Sequence, residues 1–387
     1  MNIAIDLRCL LNPCRTGVGE YTVGLLEAIF ARDQVNEYYL LINAWGRLPA
    51  LPRWEQKNVR WVKTRWPNKL FNAAELLCRR PRLDQFIIRH SDFSLRQLDI
   101  FFSPHLNFTA LSPGVKHILT IHDLTGELFP AWFTARQRRW HYLVKPRQQS
   151  ERADLILVPS ENTKRDVVEY YQIPAAKVRV LYPGGGEVQG EREKEKGGQI
   201  LKKYSLPEKF ILFLGTIEPR KNITALIKAF EQSQSAASDK LPATSLVIAG
   251  APGWKNQAVY ARARRSPYRD RIRFLGYVSA EEKTALYRAA DLFVYPSLYE
   301  GFGFPVLEAM AASCPVITSP RGSLPEISGT AAYLANPHRP AEIAAGIRLL
   351  LTDPNRRATA IQQGLTQAKK FTWRQAAAQW LEIIQSL

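Results

Sequence analysis

The sequence predicts an α/β protein made of two doubly wound parallel-sheet domains. Three observations carry that expectation. Short apolar runs of strand length alternate with amphipathic helical stretches, in two successive rounds. Such alternation marks parallel sheets covered by helices on both faces. A stretch of glycine and charge, 184-GGGEVQGEREKEKGG-198, separates the rounds and reads as a linker or exposed loop. Finally, 387 residues with 46% apolar and 23% charged side chains suit two soluble domains with sizeable cores.

The first round places strands at 2–7, 38–43, 58–64, 99–102, 117–122, 154–158 and 178–182. A helix over 17–32 aligns Val18, Tyr21, Thr22, Leu25 and Ile29 on one face. The second round places strands at 210–215, 245–250, 272–276, 291–295 and 315–318. A last helix over 372–386 carries Trp373, Ala376, Ala377, Trp380, Ile383 and Ile384 at helical spacing. The expected organisation is therefore a first domain over 1–185, a linker over 186–203 and a second domain over 204–371. The terminal helix 372–387 returns to the first domain. Doubly wound sheets bind ligands beyond the carboxyl ends of their strands, so a cleft between the two sets of ends is the expected site.

Several classes fall away. No apolar run approaches the roughly 18 residues of a membrane span. The chain opens MNIAIDL, a strand pattern rather than a signal peptide, so a cytoplasmic location is expected. Cys9, Cys14, Cys78 and Cys314 are scattered and form no CxxC, which argues against a disulfide framework or a zinc site. The net charge of +18 calls for an anionic partner. Residues 47–96 hold 12 basic and 4 acidic residues together with Trp54, Trp61 and Trp66, with Trp45 just before them. A second basic run from Arg136 to Arg147 lies among Trp132, Phe133, Trp140 and Tyr142. Trp beside Arg and Lys suits a membrane interface. Nucleic acid is the alternative partner, but the charge divides evenly between the halves and no nucleic-acid-binding motif is present.

The second round carries the clearest chemistry. Strand 210–215 ends in 216-TIEPRKN-222 and a helical pattern follows. Arg220 and Lys221 then stand at a strand's carboxyl end beside a helix start, with Asn222 as its N-cap, an arrangement that holds anions. The strand at 291–295 leads into 298-LYEGFGFPVLE-308. Its glycines allow backbone N–H groups close approach to an oxyanion, and Pro305 suits a first helical turn. Glu308 is expected in that first turn and Glu300 in the loop. Carboxylates repel phosphate, so both should take hydroxyls. A diphosphate flanked by ribose and sugar hydroxyls meets both requirements. In the first round, 14-CRTGVGEY-21 sets a glycine pair before a helix, and His122 and Asp123 follow strand 117–121. Both features are expected at the cleft.

Together these residues resemble glycosyltransferase family 4, the retaining enzymes with the GT-B fold of two Rossmann-like domains. The resemblance runs nearly end to end. It rests on the E-x7-E pair Glu300 and Glu308 within EGFGFPVLE, on 214-LGTIEPRKN-222, on 275-LGYVSAEEKTALYRAADLFVYPS-297, on 16-TGVGEYT-22 and on His122-Asp123. It implies that Arg220 and Lys221 hold the donor diphosphate and that Glu308 binds ribose. Glu300 meets the donor sugar, with Gly301, Phe302, Gly303 and Phe304 supplying backbone contacts. Tyr277 and Val278 lie against the base. Gly17, Val18 and Gly19 close over the diphosphate, and His122, with Asp123 beside it, stands near the reacting carbon. It implies no metal and no cofactor, the nucleotide sugar being a substrate.

The sequence departs from the family pattern at Thr216 and Glu20, where many relatives carry arginine, and at Ser313. The resemblance is greatest to bacterial mannosyltransferases of cell-surface polysaccharide assembly. GDP-mannose is therefore the expected donor, with a UDP-sugar as the alternative. The acceptor is expected to be a glycan or lipid-linked sugar, reached by peripheral attachment at the inner face of the cytoplasmic membrane. A GT-B epimerase and a catalytically silent scaffold are the remaining alternatives.

Overall fold

The computed structural model describes residues 1–11, 17–46, 48, 50–78, 80–91, 95–185, 198–200, 202–235 and 244–387. Cys14 and most of the stretch 184–198 lie outside them. Among the described residues the strands form two wholly parallel sheets. The first contains β1 (Asn2–Asp6), β2 (Glu37–Asn43), β3 (Val59–Thr64), β4 (Ile100–Ser103), β5 (Lys116–Thr120), β6 (Leu155–Val158) and β7 (Val178–Val180), ordered β3-β2-β1-β4-β5-β6-β7. The second contains β8 (Phe210–Leu214), β9 (Ser245–Ala249), β10 (Ile272–Gly276), β11 (Leu292–Tyr295), β12 (Val316–Thr318) and β13 (Ala332–Leu334), ordered β10-β9-β8-β11-β12-β13. The central strands are buried along their whole length, as β8 and β11 show. That is why they read as unbroken apolar runs rather than alternating ones. The edge strand β13 is half exposed and has no such run, so its pattern gave no signal.

Each sheet has one point where its strand order reverses, between β1 and β4 in the first and between β8 and β11 in the second. Chains leaving the carboxyl ends there diverge to opposite faces and open a crevice. In the second sheet, Leu292 pairs with Ile211 and Phe293 with Leu212. The two strands therefore end level, at Leu214 and Tyr295.

The helices that bear on function are α1 (Gly17–Phe30), α2 (Ile223–Ser235), α3 (Ala280–Ala289), α4 (Phe304–Ala311) and α5 (Trp373–Gln385). The chain divides into one unit of residues 1–126, 135–184 and 373–387 and another of 127–134 and 185–372. Helix α5 thus belongs with the first unit. Its Trp380 is fully buried, with Phe102 and Tyr38 ring centroids 5.8 and 6.3 Å away. Gly24 of α1 has to be glycine, because a Cβ there would lie 2.3 Å from Trp373 Cε2.

Two boundaries differ from the sequence expectation. Residues 127–134 sit with the second unit, not the first. Aromatic packing holds them: Phe129 stacks on Trp132 at 4.2 Å, Phe133 stacks on Trp254 at 5.7 Å, and Trp254 Nε1 donates to the Trp132 carbonyl at 2.8 Å. The expected linker also ends early, since 198–200 and 202–203 are helical. Lys203 Nζ and the Tyr204 hydroxyl then donate to Glu282 Oε1 at 2.6 and 2.9 Å.

The tryptophans divide by role. Trp54 is core, stacked on Trp61 and edge-on to Phe30. Trp45, Trp66, Trp140 and Tyr142 are exposed. Arg136, Arg138, Arg139, Lys145 and Arg147 are exposed as well. No described helix is long and apolar enough to cross a membrane.

Candidate functional site

The reversal point of the second sheet brings together two segments far apart in sequence. After β8 the chain passes Gly215 and makes a single 3-10 turn over Pro219–Lys221. After β11 it forms the loop that leads to α4. The Lys221 ammonium donates to Glu300 Oε1 at 2.6 Å and to the Tyr295 hydroxyl at 2.5 Å. Glu300 Oε1 also accepts from Tyr295 at 3.0 Å and from Ser297 at 2.5 Å, while Glu300 Oε2 accepts from Arg220 at 3.1 Å. Arg220 turns its other edge to Glu218 Oε1 at 3.0 Å. Glu218, Lys221 and Glu300 are all buried.

Glu300 stands in the loop after β11, as expected, and its carboxylate holds the two cations in place. Burial alone would raise its pKa. Arg220 and Lys221 more than reverse this and hold it down to about 2. Burial and the neighbouring Arg220 charge pull the basicity of Lys221 down. Among the described residues, two of the three Lys221 N–H donors are taken, so the third is available to a ligand. Two cations are thus fixed in a dry setting at a helix-rich crevice, where a fixed charge acts on an anion far more strongly than in water.

The backbone of Glu300 is clamped too. Ser323 donates from its N–H and its hydroxyl to the Glu300 carbonyl at 3.1 and 3.0 Å. Gly322 lies against the same peptide, and a Cβ there would sit 2.5 Å from that carbonyl oxygen. Asn222 occupies the position before α2, and its carbonyl accepts from Ala225 and Leu226. Its side-chain amide donates to the Pro296 and Pro337 carbonyls at 3.2 and 2.7 Å, so it ties loops together. Gly303 is left-handed at φ 108° and opens α4, with Pro305 in the first turn. Gly301, Phe302 and Phe304 lie around that helix start, and Phe302 is buried.

Glu308 falls in the second turn of α4, not the first, because the helix starts at Phe304. It accepts from Lys283 Nζ at 2.5 Å and from the Tyr287 hydroxyl at 3.0 Å, both on α3. The two acids of the E-x7-E pair therefore bind different cations. Tyr277, just beyond β10, is half exposed, and Val278 is buried.

In the first unit, Gly17, Val18 and Gly19 form the first turn of α1, in keeping with the helix expected from residue 17, so the glycine pair lies within the helix and not before it. Residues 14–16 lie outside the described residues. His122 Nε2 donates to the Pro104 carbonyl at 2.8 Å, and its ring meets Tyr21 edge-on at 4.8 Å. Burial pulls its pKa down, so the ring is neutral at pH 7 with Nδ1 as an acceptor. Asp123 Oδ1 accepts from the Thr125 N–H at 2.9 Å, which caps the turn that follows. At this sheet's own reversal point Arg8 is buried, bonded to Asp6, Glu75 and the Phe108 carbonyl. Sequence reasoning passed over Arg8, Tyr295, Ser297, Lys283 and Tyr287. Only the fold brings their partners near, although Tyr295 and Ser297 close a strand whose other end-group was recognised.

Comparison with known proteins gives the family. Residues 15–184 match the profile of Glycosyltransferase Family 4, and residues 199–367 match that of glycosyl transferases group 1. The O-antigen chain mannosyltransferase B of Escherichia coli is 30% identical over 373 residues, covering 94% of each chain. The chain belongs to glycosyltransferase family 4. The serotype-specific mannosyltransferase WbdA of Escherichia coli is 31% identical to this glycosyltransferase over 264 residues, covering 68% of this chain and 32% of that one. Sucrose-phosphate synthase from Thermosynechococcus elongatus superposes with a TM-score of 0.73 at 20% identity, covering 100% of this chain and 98% of that one. Anabaena HepE in complex with UDP-glucose superposes at 0.71 and 18% identity over the whole of both chains. The fold of this glycosyltransferase is accordingly GT-B.

The depressed pKa of Glu300 gives a pH prediction. The stabilisation is complete above its ordinary value of 4.5 and is lost as pH falls toward 2. Glu300→Gln keeps the shape, removes the charge and strands Lys221. Its stability deficit against the wild type is expected to be about 3 kcal/mol at pH 7 and less than half of that at pH 3. Urea unfolding of both proteins at the two pH values measures this; an equal deficit at both would contradict the assignment.

Proposed function

We propose that this glycosyltransferase moves mannose from GDP-mannose to a hydroxyl of a glycan or lipid-linked acceptor, with retention of configuration and without a metal. The observation that carries the reading is the Arg220–Lys221 pair fixed by Glu300 at the reversal point of the second sheet. A leaving diphosphate needs preorganised positive charge, and these side chains supply it. The bond broken is that between the sugar's anomeric carbon and the diphosphate oxygen. The bond formed joins that carbon to the acceptor oxygen on the same face. The acceptor proton passes to the departing diphosphate. Gly301 to Phe304, at the start of α4, supply N–H groups for the donor, and Glu308 takes the ribose. Tyr277, exposed beside the buried Val278, offers its ring to the base. The neutral His122 imidazole accepts a sugar hydroxyl at Nδ1. Mannose as the sugar is supported by the likeness to mannosyltransferases of Escherichia coli. A UDP-sugar remains the second reading, since the comparable HepE fold was solved with UDP-glucose.

Peripheral membrane contact is part of the proposal. Helix 135–144 exposes Arg136, Arg138, Arg139, Trp140 and Tyr142, a basic and aromatic surface suited to anionic headgroups.

Replacing either cation by alanine would strand a buried acid, Glu218 or Glu300, and confuse stability with catalysis. Arg220→Lys keeps the charge and loses the planar fork. It is expected to lower turnover of GDP-mannose about tenfold to hundredfold with the unfolding temperature nearly unchanged. Release of GDP measured with and without acceptor checks this, and turnover only without acceptor would point to hydrolysis or epimerisation. Undiminished turnover in the variant would overturn the assigned role. For the membrane contact, Arg138→Gln with Arg139→Gln should weaken binding to phosphatidylglycerol vesicles about thirtyfold, at about 1 kcal/mol for each basic residue. Flotation at low salt reads this directly. Wild-type protein that fails to float there would contradict it.

A further inference from the structure

We propose that Lys283 and Tyr287 are positioning residues that aim the Glu308 carboxylate at the paired hydroxyls of a nucleotide ribose, making the site select ribonucleotides over deoxyribonucleotides. The inference rests on the donor-site reading above and extends it to residues on a different helix.

Glu308 receives little help from its own helix. It lies in the second turn of α4, whose first turn holds no acidic residue, and the field of a helix end fades within one turn. Its orientation is set from α3 instead. Lys283 and Tyr287 stand four residues apart on α3 and so share one face. Each takes a different oxygen of Glu308: Lys283 Nζ lies 2.5 Å from Oε1 and the Tyr287 hydroxyl 3.0 Å from Oε2. A carboxylate held by one donor on each oxygen has its plane fixed. Each oxygen keeps a further lone pair. Two acceptors at fixed spacing match two neighbouring hydroxyls, and a sugar that lacks one of them forgoes one hydrogen bond to a charged acceptor.

The supports are themselves anchored. Tyr287 is buried and its ring meets Phe293 of β11 edge-on at 5.2 Å. The first turn of α3 is closed by a capping box between Ser279 and Glu282. Glu282 is tied in turn to Lys203 and Tyr204. Helix α3 therefore cannot slide along α4 without breaking several bonds. The Lys283 and Glu308 side chains remain 21% and 19% exposed, so the pair is firm yet open to a ligand.

The test is calorimetric titration of the full chain with GDP and 2′-deoxy-GDP, and in parallel with UDP and 2′-deoxy-UDP. The proteins are wild type, Lys283→Met, Lys283→Arg and Tyr287→Phe, each first shown to unfold cooperatively near the wild-type temperature. Wild type is expected to prefer the ribonucleotide about tenfold, the worth of a hydrogen bond to a charged group. In Lys283→Met and Tyr287→Phe the preference should fall to about twofold, with 2′-deoxynucleotide affinity little changed, and Lys283→Arg should restore most of it. A preference that survives both substitutions overturns the inference and leaves the donor site intact. Equal weakening of ribo- and deoxynucleotide also overturns it, because that marks a general structural effect. Binding of the uridine pair alone corrects the base but still judges the inference by the ratio. Failure of wild type to bind any of the four removes the donor site and this inference together.

Discussion

Lys221 and Glu300 form a buried ion pair across the reversal point of the second sheet, and the site around them follows from it. Neither charge is tolerable alone in a dry interior. Each therefore obliges the chain to bring the other, and the level ends of β8 and β11 make that possible. The surrounding groups complete the pair. Tyr295 and Ser297 bond the carboxylate, Ser323 bonds the peptide of Glu300, and Gly322 leaves room for that peptide. Arg220 then lies beside Lys221 because the same carboxylate holds both. The result is two neighbouring cations whose repulsion has already been offset during folding. An incoming diphosphate needs no rearrangement to find them, which is the physical condition for stabilising a leaving group.

This dual use of one acid explains why the site was only partly legible in the sequence. Arg220, Lys221 and Glu300 were identifiable because each follows a recognisable apolar strand, and Glu308 because of its E-x7-E spacing from Glu300. Their pairing was not. A sequence shows two acids and two bases near strand ends but not which oxygen meets which nitrogen. Charge reasoning and the family resemblance pointed Glu300 at sugar hydroxyls, but neither could show that it also anchors both cations. In the fold that acid is neutralised by the two cations it holds. Glu308 was misplaced for a simpler reason. Gly303 at a left-handed φ starts the helix at Phe304, and the glutamate falls one turn later than the pattern implied.

The fold itself was largely readable where burial is complete. Strands covered on both faces need unbroken apolar runs, and β8 and β11 display them. The half-exposed β13 carries no such run and went unseen. Tryptophan shows the converse limit. Trp45, Trp54, Trp61 and Trp66 look alike in sequence, yet Trp54 is core while Trp45 and Trp66 are exposed. Residues 127–134 sit with the second unit because of aromatic stacking partners that lie far off in the chain, Trp254 above all. Long-range contacts of this kind leave no local periodicity, so no pattern rule can find them.

The most direct test of the central claim is whether the second phosphate of the nucleotide is what the Arg220–Lys221 pair holds. Titrating wild-type protein with GDP and with GMP under identical salt measures it. Two cations fixed in a dry site predict GDP binding at least tenfold tighter than GMP, about 1.4 kcal/mol or more. GMP binding as tightly as GDP would contradict the account, since the pair would then play no part in holding the diphosphate.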